Sequence, residues 1–239
     1  YLAATVSGCQ SLYDVFLKKE KDGKDPNGDM HVVTASSILG ITPDAWLVLK
    51  ESKKEADRKQ AKEARTTAKT VNFLTLYGGS AQGLKDTFQS MGVDRTIEEC
   101  LEYIEAFFRA FPEVKEWFDK QKYTIQADGR VVNAYGRIRH VLKEGSETLS
   151  AINMLIQGLG AQIIKESLVE MDTLWEGKDW YPLLIIHDEN IIEVPEGEID
   201  LAEKGIIDIM EISVKDKLKV NLKVDCSAGV SSLSKTEMI

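Results

Sequence analysis

The sequence predicts an α+β protein: helices over most of the chain up to about residue 130, then a smaller part built on antiparallel hairpins. Three observations carry this. Apolar residues recur at helical spacing between recognisable caps through residue 123. The period then changes to alternation in "GRVVNAYGRIRHV". Finally, two short apolar β-type runs, residues 183–186 and 191–194, flank the polar stretch "HDEN". With 239 residues, 43% of them hydrophobic, the chain can bury a real core.

Residues 1–18 read as a helix, and the polar, glycine-containing residues 18–29 as an exposed loop. "MHVVTASSILG" reads as a helix ending at Gly40. The next helix opens with Thr42 as N-cap and Pro43 at its first position, and runs to about Glu51. A long basic helix follows and closes at "YGG", where Gly78 and Gly79 are suitable C-cap residues. "TIEECLEYIEAFFRAF" starts from a Thr96 cap, and "PEVKEWFDKQKYTIQ" starts at Pro112. After the "GRVV…IRHV" hairpin comes a long helix, "SETLSAINMLIQGLGAQIIKESLVEMDTLW". Its Gly158 and Gly160 would let another backbone or a flat ligand approach closely.

A net charge of −9 argues against attraction of the whole surface to a phosphate backbone, so any nucleic-acid contact must be local. Positive charge is concentrated on the long helix, at Lys53, Lys54, Arg58, Lys59, Lys62, Arg65 and Lys69. Glu51, Glu55, Asp57 and Glu63 can pair with the first of these along a solvated helix face. Arg65 and Lys69 have no acid at their i+4 positions. In "RTTAKTVNFLTLYGG" the 100° turn per residue aligns Arg65, Lys69, Phe73 and Tyr77 on one face, with Arg58 and Lys62 preceding them. A face that begins basic and ends aromatic suits a ligand both anionic and flat, and a nucleotide is both.

The three cysteines, Cys9, Cys100 and Cys226, have neither zinc-site nor disulfide-framework spacing. No apolar run reaches 18 residues and the first residues lack the pattern of a signal peptide, so a cytoplasmic protein is expected. The chain opens on Tyr1, in the middle of a helical pattern, as one piece of something longer would. In "HDEN", adjacent carboxylates carried on apolar, buried strands would be held rigidly, as oxygen ligands of a hard divalent cation need to be.

Taken together these segments resemble the family A DNA polymerases. The R-x-x-x-K-x-x-x-F-x-x-x-Y-G pattern of Arg65, Lys69, Phe73, Tyr77 and Gly78 looks like that family's fingers helix. "HDE" between apolar strands resembles its second metal-binding motif, "DMHVVTA" its D-x-H segment, and "NMLIQGLGAQIIK" its N-x-x-x-Q-G helix. "FFRAFPEVKEW" and "GRIRH" fit in order, so the resemblance covers nearly the whole chain. It implies part of a right-hand polymerase: a palm-proximal helix at residues 1–10, a helical fingers subdomain at 11–130, and an antiparallel-sheet palm portion at 131–239.

Residue by residue, the resemblance implies that His31, Arg65 and Lys69 hold the triphosphate of an incoming dNTP, with Phe73 near its sugar. Arginine suits phosphate oxygens by its planar fork, and lysine as a mobile point charge. Tyr77 would stack where the template base enters, beside Gly78. Arg139, Asn153, Gln157 and His187 would contact primer–template DNA, Asn153 and Gln157 through minor-groove acceptors that all base pairs share. Asp188 would ligate Mg2+ in a two-metal site, with Glu189 in support.

One departure matters. The family's D-x-S-x-x-E motif, which carries the other palm aspartate, is absent, and "YLAATVSG" resembles what normally follows it. The chain is therefore expected to begin just after that carboxylate, to be inactive alone, and to work with the N-terminal part of the polymerase, on a separate chain or in a removed segment. Leu149 stands where many relatives carry an arginine. The rival readings are a polymerase-derived DNA- or nucleotide-binding module without chemistry, and a metal-dependent hydrolase built on His187, Asp188 and Glu189.

Overall fold

A computed structural model describes residues 2–142, 146–186, 189–212 and 222–229, except the side chains of Glu20, Ser146 and Ile212. The chain forms two compact units, residues 1–156 and 157–239. The division falls inside one long helix.

In the first unit, α1 (Leu2–Ser7) and α2 (Gln10–Lys21) replace the single expected helix. Gly8 breaks it with φ 66°, a left-handed conformation that glycine adopts without the Cβ clash. Helix α2 then continues into the segment expected to be loop, and a 3-10 turn at Pro26–Gly28 leads to α3 (Met30–Leu39). The backbone of Lys19 lies so close to Gly28 that a Cβ there would meet it at 2.7 Å, so α2 and the turn pack without side chains between them. Helices α4 (Pro43–Glu51) and α5 (Glu55–Leu76) follow, α4 capped by Thr42 as expected.

The buried stripe of α5 starts with small residues, Ala61, Ala64 and Ala68, which allow α3 and α4 to approach closely. Val32, Ala35 and Trp46 fill that contact, and the Trp46 indole N–H donates to the Ala61 carbonyl at 3.1 Å. Helices α6 (Ala81–Ser90), α7 (Ile97–Ala110) and α8 (Pro112–Asp128) complete the helical part. Phe107, Phe111, Trp117 and Phe118 are buried there, with Phe107 and Phe111 5.3 Å apart and Trp117 and Phe118 5.1 Å apart between ring centres. β1 (Arg130–Val132) pairs antiparallel with β2 (Ile138–His140), the hairpin read from the sequence.

Helix α9 (Ser146–Trp175) runs from the first unit into the second. The second unit adds β3 (Tyr181–Ile186), β4 (Glu189–Glu193) and α10 (Ile199–Ile212), a helix not foreseen from the sequence. Its small core joins Ile164 and Met171 of α9 to Met210 of α10, with Ile192 of β4 against them.

Two expectations for the "HDEN" hairpin need correction. Glu189 and Asn190 are not turn residues: they pair with Ile186 and Ile185 as the first residues of β4, because the strand hydrogen bonds continue through them. The strands are also not buried. Leu183, Leu184, Ile185 and Ile186 are 56, 48, 51 and 42% exposed, since β3 pairs only with β4 among the described residues. His187 and Asp188 lie outside the described residues.

The described cysteines are free, Cys9 and Cys100 buried and Cys226 exposed. No single described helix is long and apolar enough to cross a membrane; the bent pair α3 and α4 passes by composition, and its Val32, Ala35 and Trp46 belong to the core of the first unit.

Thr96 forms a full capping box at α7: its hydroxyl accepts from the Glu99 N–H at 3.1 Å, and the Glu99 carboxylate accepts from the Thr96 N–H at 2.8 Å. Thr96→Ala is therefore expected to destabilise the protein by about 1 kcal/mol in urea unfolding. An unchanged midpoint would contradict the cap's contribution.

Candidate nucleotide-binding site

The face predicted on α5 is present, and α3 supplies its other wall. Asp29 begins the construction. As N-cap of α3, its Oδ1 accepts from the His31 N–H at 2.8 Å and the Val32 N–H at 3.3 Å. Its other oxygen, Oδ2, accepts two bonds from Arg65, from Nε at 3.1 Å and from a terminal nitrogen at 2.8 Å. One carboxylate thus caps one helix and pins the cation of another. An arginine has five N–H donors, so this pairing leaves three for an anion.

His31 follows within the first turn of α3. Its Nδ1 lies 2.9 Å from the amide nitrogen of Asn72, which also donates to the Met30 carbonyl at 3.3 Å. Asn72 is fully buried on the packed side of α5, immediately before Phe73 on the open side. The His31 and Phe73 rings are 5.8 Å apart, and Phe73 and Tyr77 are 6.3 Å apart. Both aromatics are largely open to solvent, at 45 and 42% exposure. Lys69 is exposed and close enough to His31 to act on its charge. Arg65, Lys69, Phe73, Tyr77 and His31 thus line one surface, cationic at one end and aromatic at the other.

The more N-terminal cations of α5 are differently placed. Arg58 donates to the backbone carbonyls of Ser52 and Lys53 at 2.7 and 2.9 Å, so it caps the preceding turn. Lys59 lies 3.9 Å from Glu63 across an exposed i,i+4 pair, the solvated arrangement expected of it.

The electrostatics are ordered by Asp29. Burial alone would raise its carboxyl pKa, but the Arg65 hydrogen bonds and charge, with the His31 N–H, outweigh it and hold the pKa below the ordinary carboxylate value. His31 is also held low. Burial is the largest cause, and the charges of Arg65, Lys69 and Lys19 add to it, against the opposing effect of Asp29.

Helix α5 ends where its glycines were expected to act. Tyr77 is its C-cap, and Gly78 is buried at φ 74°. A Cβ on Gly78 would meet Leu149 of α9 at 3.1 Å, so the start of α9 abuts the end of α5 through this glycine. Arg139 of β2 is tied to the same helix, donating to the Ser150 carbonyl at 3.2 Å and its hydroxyl at 3.0 Å. One turn after Leu149, Asn153 is half-buried, with its side-chain oxygen unpartnered. Gln157 is exposed one turn further along the helix.

In the second unit, Glu189 is exposed at the start of β4. Among the described residues no group of three or more His, Cys, Asp or Glu side chains could hold a metal. The described residues therefore do not by themselves fit a magnesium site; Asp188 and His187 lie outside them.

Sequence reasoning missed Asn72, and took Asp29 only as part of the D-x-H segment, without its pairing to Arg65. Asp29 was legible as the capping residue directly before a helix. Asn72 was legible as a lone amide in the alanine, valine and threonine stripe that α5 buries.

Comparison with known proteins bears on this geometry. A family model described as DNA polymerase family A matches residues 1–234. The chain is 31% identical over 235 residues to the thermostable DNA polymerase I of Thermus filiformis, covering 95% of this chain and 25% of that protein. It is 33% identical over 210 residues to DNA polymerase I of Aquifex aeolicus, covering 85% of this chain and 32% of that one. The fold is similar, at TM-score 0.70 and 24% identity, to the POL domain of Pol1 from M. smegmatis, solved in complex with DNA primer-template and dNTP. That match covers 93% of this chain and 36% of the other. The chain thus spans about a quarter of the length of the first of these curated relatives.

Because the folded pKa values of Asp29 and His31 are both depressed, the unfolded chain binds more protons than the folded one in the acid range. Their contribution is fully present above the ordinary histidine pKa of about 6.5 and is lost as the pH falls, first through His31 and then through Asp29. Urea midpoints are expected to drop from neutral pH toward about pH 5, and His31→Gln to flatten that part of the slope. Equal slopes in the two proteins would contradict the assignment.

Proposed function

The chain belongs to DNA polymerase family A, and from that premise we propose that it binds the incoming deoxynucleoside triphosphate for template-directed DNA synthesis. The observation that carries this is the convergence of Arg65, Lys69, His31 and Phe73 on one open surface of α3 and α5. Arg65 and Lys69 supply positive charge for the phosphates, and the arginine keeps free donors beyond its bonds to Asp29. His31 adds a third phosphate contact. Phe73 and Tyr77 offer flat apolar surface for the sugar and for stacking of a template base, which works for any base because each has a π-face.

The reaction is transfer of a nucleotidyl group to a primer 3′-hydroxyl with release of pyrophosphate. Fixed cations beside the triphosphate stabilise the charge that develops on the leaving group, so part of their effect falls on the chemical step. Asn153 and Gln157, one turn apart on α9, are suited to donate from their side-chain NH2 groups to minor-groove acceptors of the primer–template. Arg139, Gly78 and His187 are proposed to act at the same DNA. Gly78 acts by letting the helices meet rather than by an exposed contact of its own.

Asp188 is proposed as a magnesium ligand, with Glu189 beside it. The activity is proposed for this chain acting together with the remaining segments of a family A polymerase. The reading rests on the triphosphate surface and not on the metal.

The test is primer extension with the rest of a family A polymerase supplied alongside this chain. Lys69→Ala is expected to weaken dNTP binding and slow extension together, by roughly ten- to a hundred-fold for one lost charge-assisted hydrogen bond. Lys59→Ala should change neither. Equal effects of the two substitutions would return Lys69 to the solvated face. Asp188→Ala should abolish extension while duplex binding, followed by fluorescence anisotropy, is retained; loss of both would withdraw its metal role.

A further inference from the structure

The hydrogen bonds of Asn72 have a consequence for His31. The Asn72 amide nitrogen lies 3.3 Å from the Met30 carbonyl and 2.9 Å from His31 Nδ1. A carbonyl can only accept, so the group facing Met30 must be the NH2 and not the oxygen of the amide. That settles the direction of the second bond: the same NH2 donates, and His31 Nδ1 accepts. An imidazole that accepts at Nδ1 carries its proton on Nε2. Turning the amide over to accept from a protonated Nδ1 would set its oxygen against the Met30 carbonyl.

We infer that Asn72 is a positioning residue that holds His31 as the neutral Nε2–H tautomer, so that the ring presents an N–H donor to a phosphate oxygen of the bound nucleotide. This rests on the nucleotide reading of the α3–α5 surface. His31 Nε2 has no partner among the described residues and is not among their buried unpartnered atoms. The Asn72 side-chain oxygen, by contrast, is buried without a partner, so the amide's bonds are all on the side that faces α3. The charged groups acting on the ring are Asp29, which favours imidazolium, and Arg65, Lys69 and Lys19, which oppose it. With burial on the side of the cations, the ring stays uncharged while two stronger cations carry the charge of the site. The gain is directional, since a neutral donor fixed in orientation selects one phosphate position.

The experiment uses the 239-residue chain. Nitrogen-15 NMR of the imidazoles, with His31 assigned by its absence in His31→Gln, should show Nδ1 unprotonated and Nε2 protonated at neutral pH. Asn72→Asp, which replaces the donor by an acceptor, should shift the proton to Nδ1 and raise the His31 pKa. Titration with dTTP is then made in a double-mutant cycle. Asn72→Ala should weaken dTTP binding by roughly tenfold when His31 is present, and by less than about twofold in the His31→Gln background. A proton found on Nδ1 in the parent overturns the inference without any variant having to fold. An equal loss in both backgrounds also overturns it, by showing that Asn72 only packs α5 against α3. A parent with the expected tautomer that binds no dTTP contradicts the nucleotide reading, and with it the phosphate role of His31, but not the Asn72–His31 pair.

Discussion

The bidentate use of Asp29 is the interaction on which the site depends. A helix N-terminus leaves backbone N–H groups without partners, and a carboxylate there satisfies them while meeting the positive end of the helix dipole. Asp29 does this for α3 and at the same time accepts from Arg65 on α5. The ion pair is partly exposed, 43% at Arg65 and 33% at Asp29, so it adds little to global stability, on the order of 1 kcal/mol or less. Its value is geometric. It orients an otherwise free side chain and sets His31, two residues on, against the same surface.

That geometry is possible because α5 is asymmetric along its buried stripe. Alanines at 61, 64 and 68 bring α3 and α4 close, and larger or polar residues, Val71, Asn72 and Thr75, take over toward the C-terminal end. Close approach at the alanines brings Asp29 within reach of Arg65, and the polar end supplies the Asn72 amide to the first turn of α3. Gly78 repeats the principle at the end of α5, where the absent Cβ lets α9 abut.

Much of this was legible in the sequence because the signals were local. Helical period aligned Arg65, Lys69, Phe73 and Tyr77, and caps at Thr42, Thr96 and Gly40 marked helix ends that the structure reproduces. What was not legible depends on pairing across the chain. The partner of Arg65 lies 36 residues away, and reasoning from i+4 neighbours found none. The break at Gly8 was hidden in a continuous apolar period. The apolar run of β3 was read as buried, since hydrophobicity reports a tendency to be covered and not what covers it; in the second unit only β4 pairs with it among the described residues. Glu189 was read as a turn residue because polarity was taken to mark the turn, whereas strand pairing continues through it.

The central claim is that the triphosphate binds to the surface shared by Arg65, Lys69, His31 and Phe73, and not to the basic face as a whole. Backbone and side-chain chemical shifts of the isotope-labelled chain, followed during titration with a dNTP, test this most directly. The account predicts perturbations concentrated at those four residues and at Asp29, whose bond to Arg65 must share that side chain with the phosphate, with Lys53, Lys54 and Lys59 unmoved. Perturbations spread evenly along the lysines of α5, or largest at Lys53 to Lys59, would contradict it.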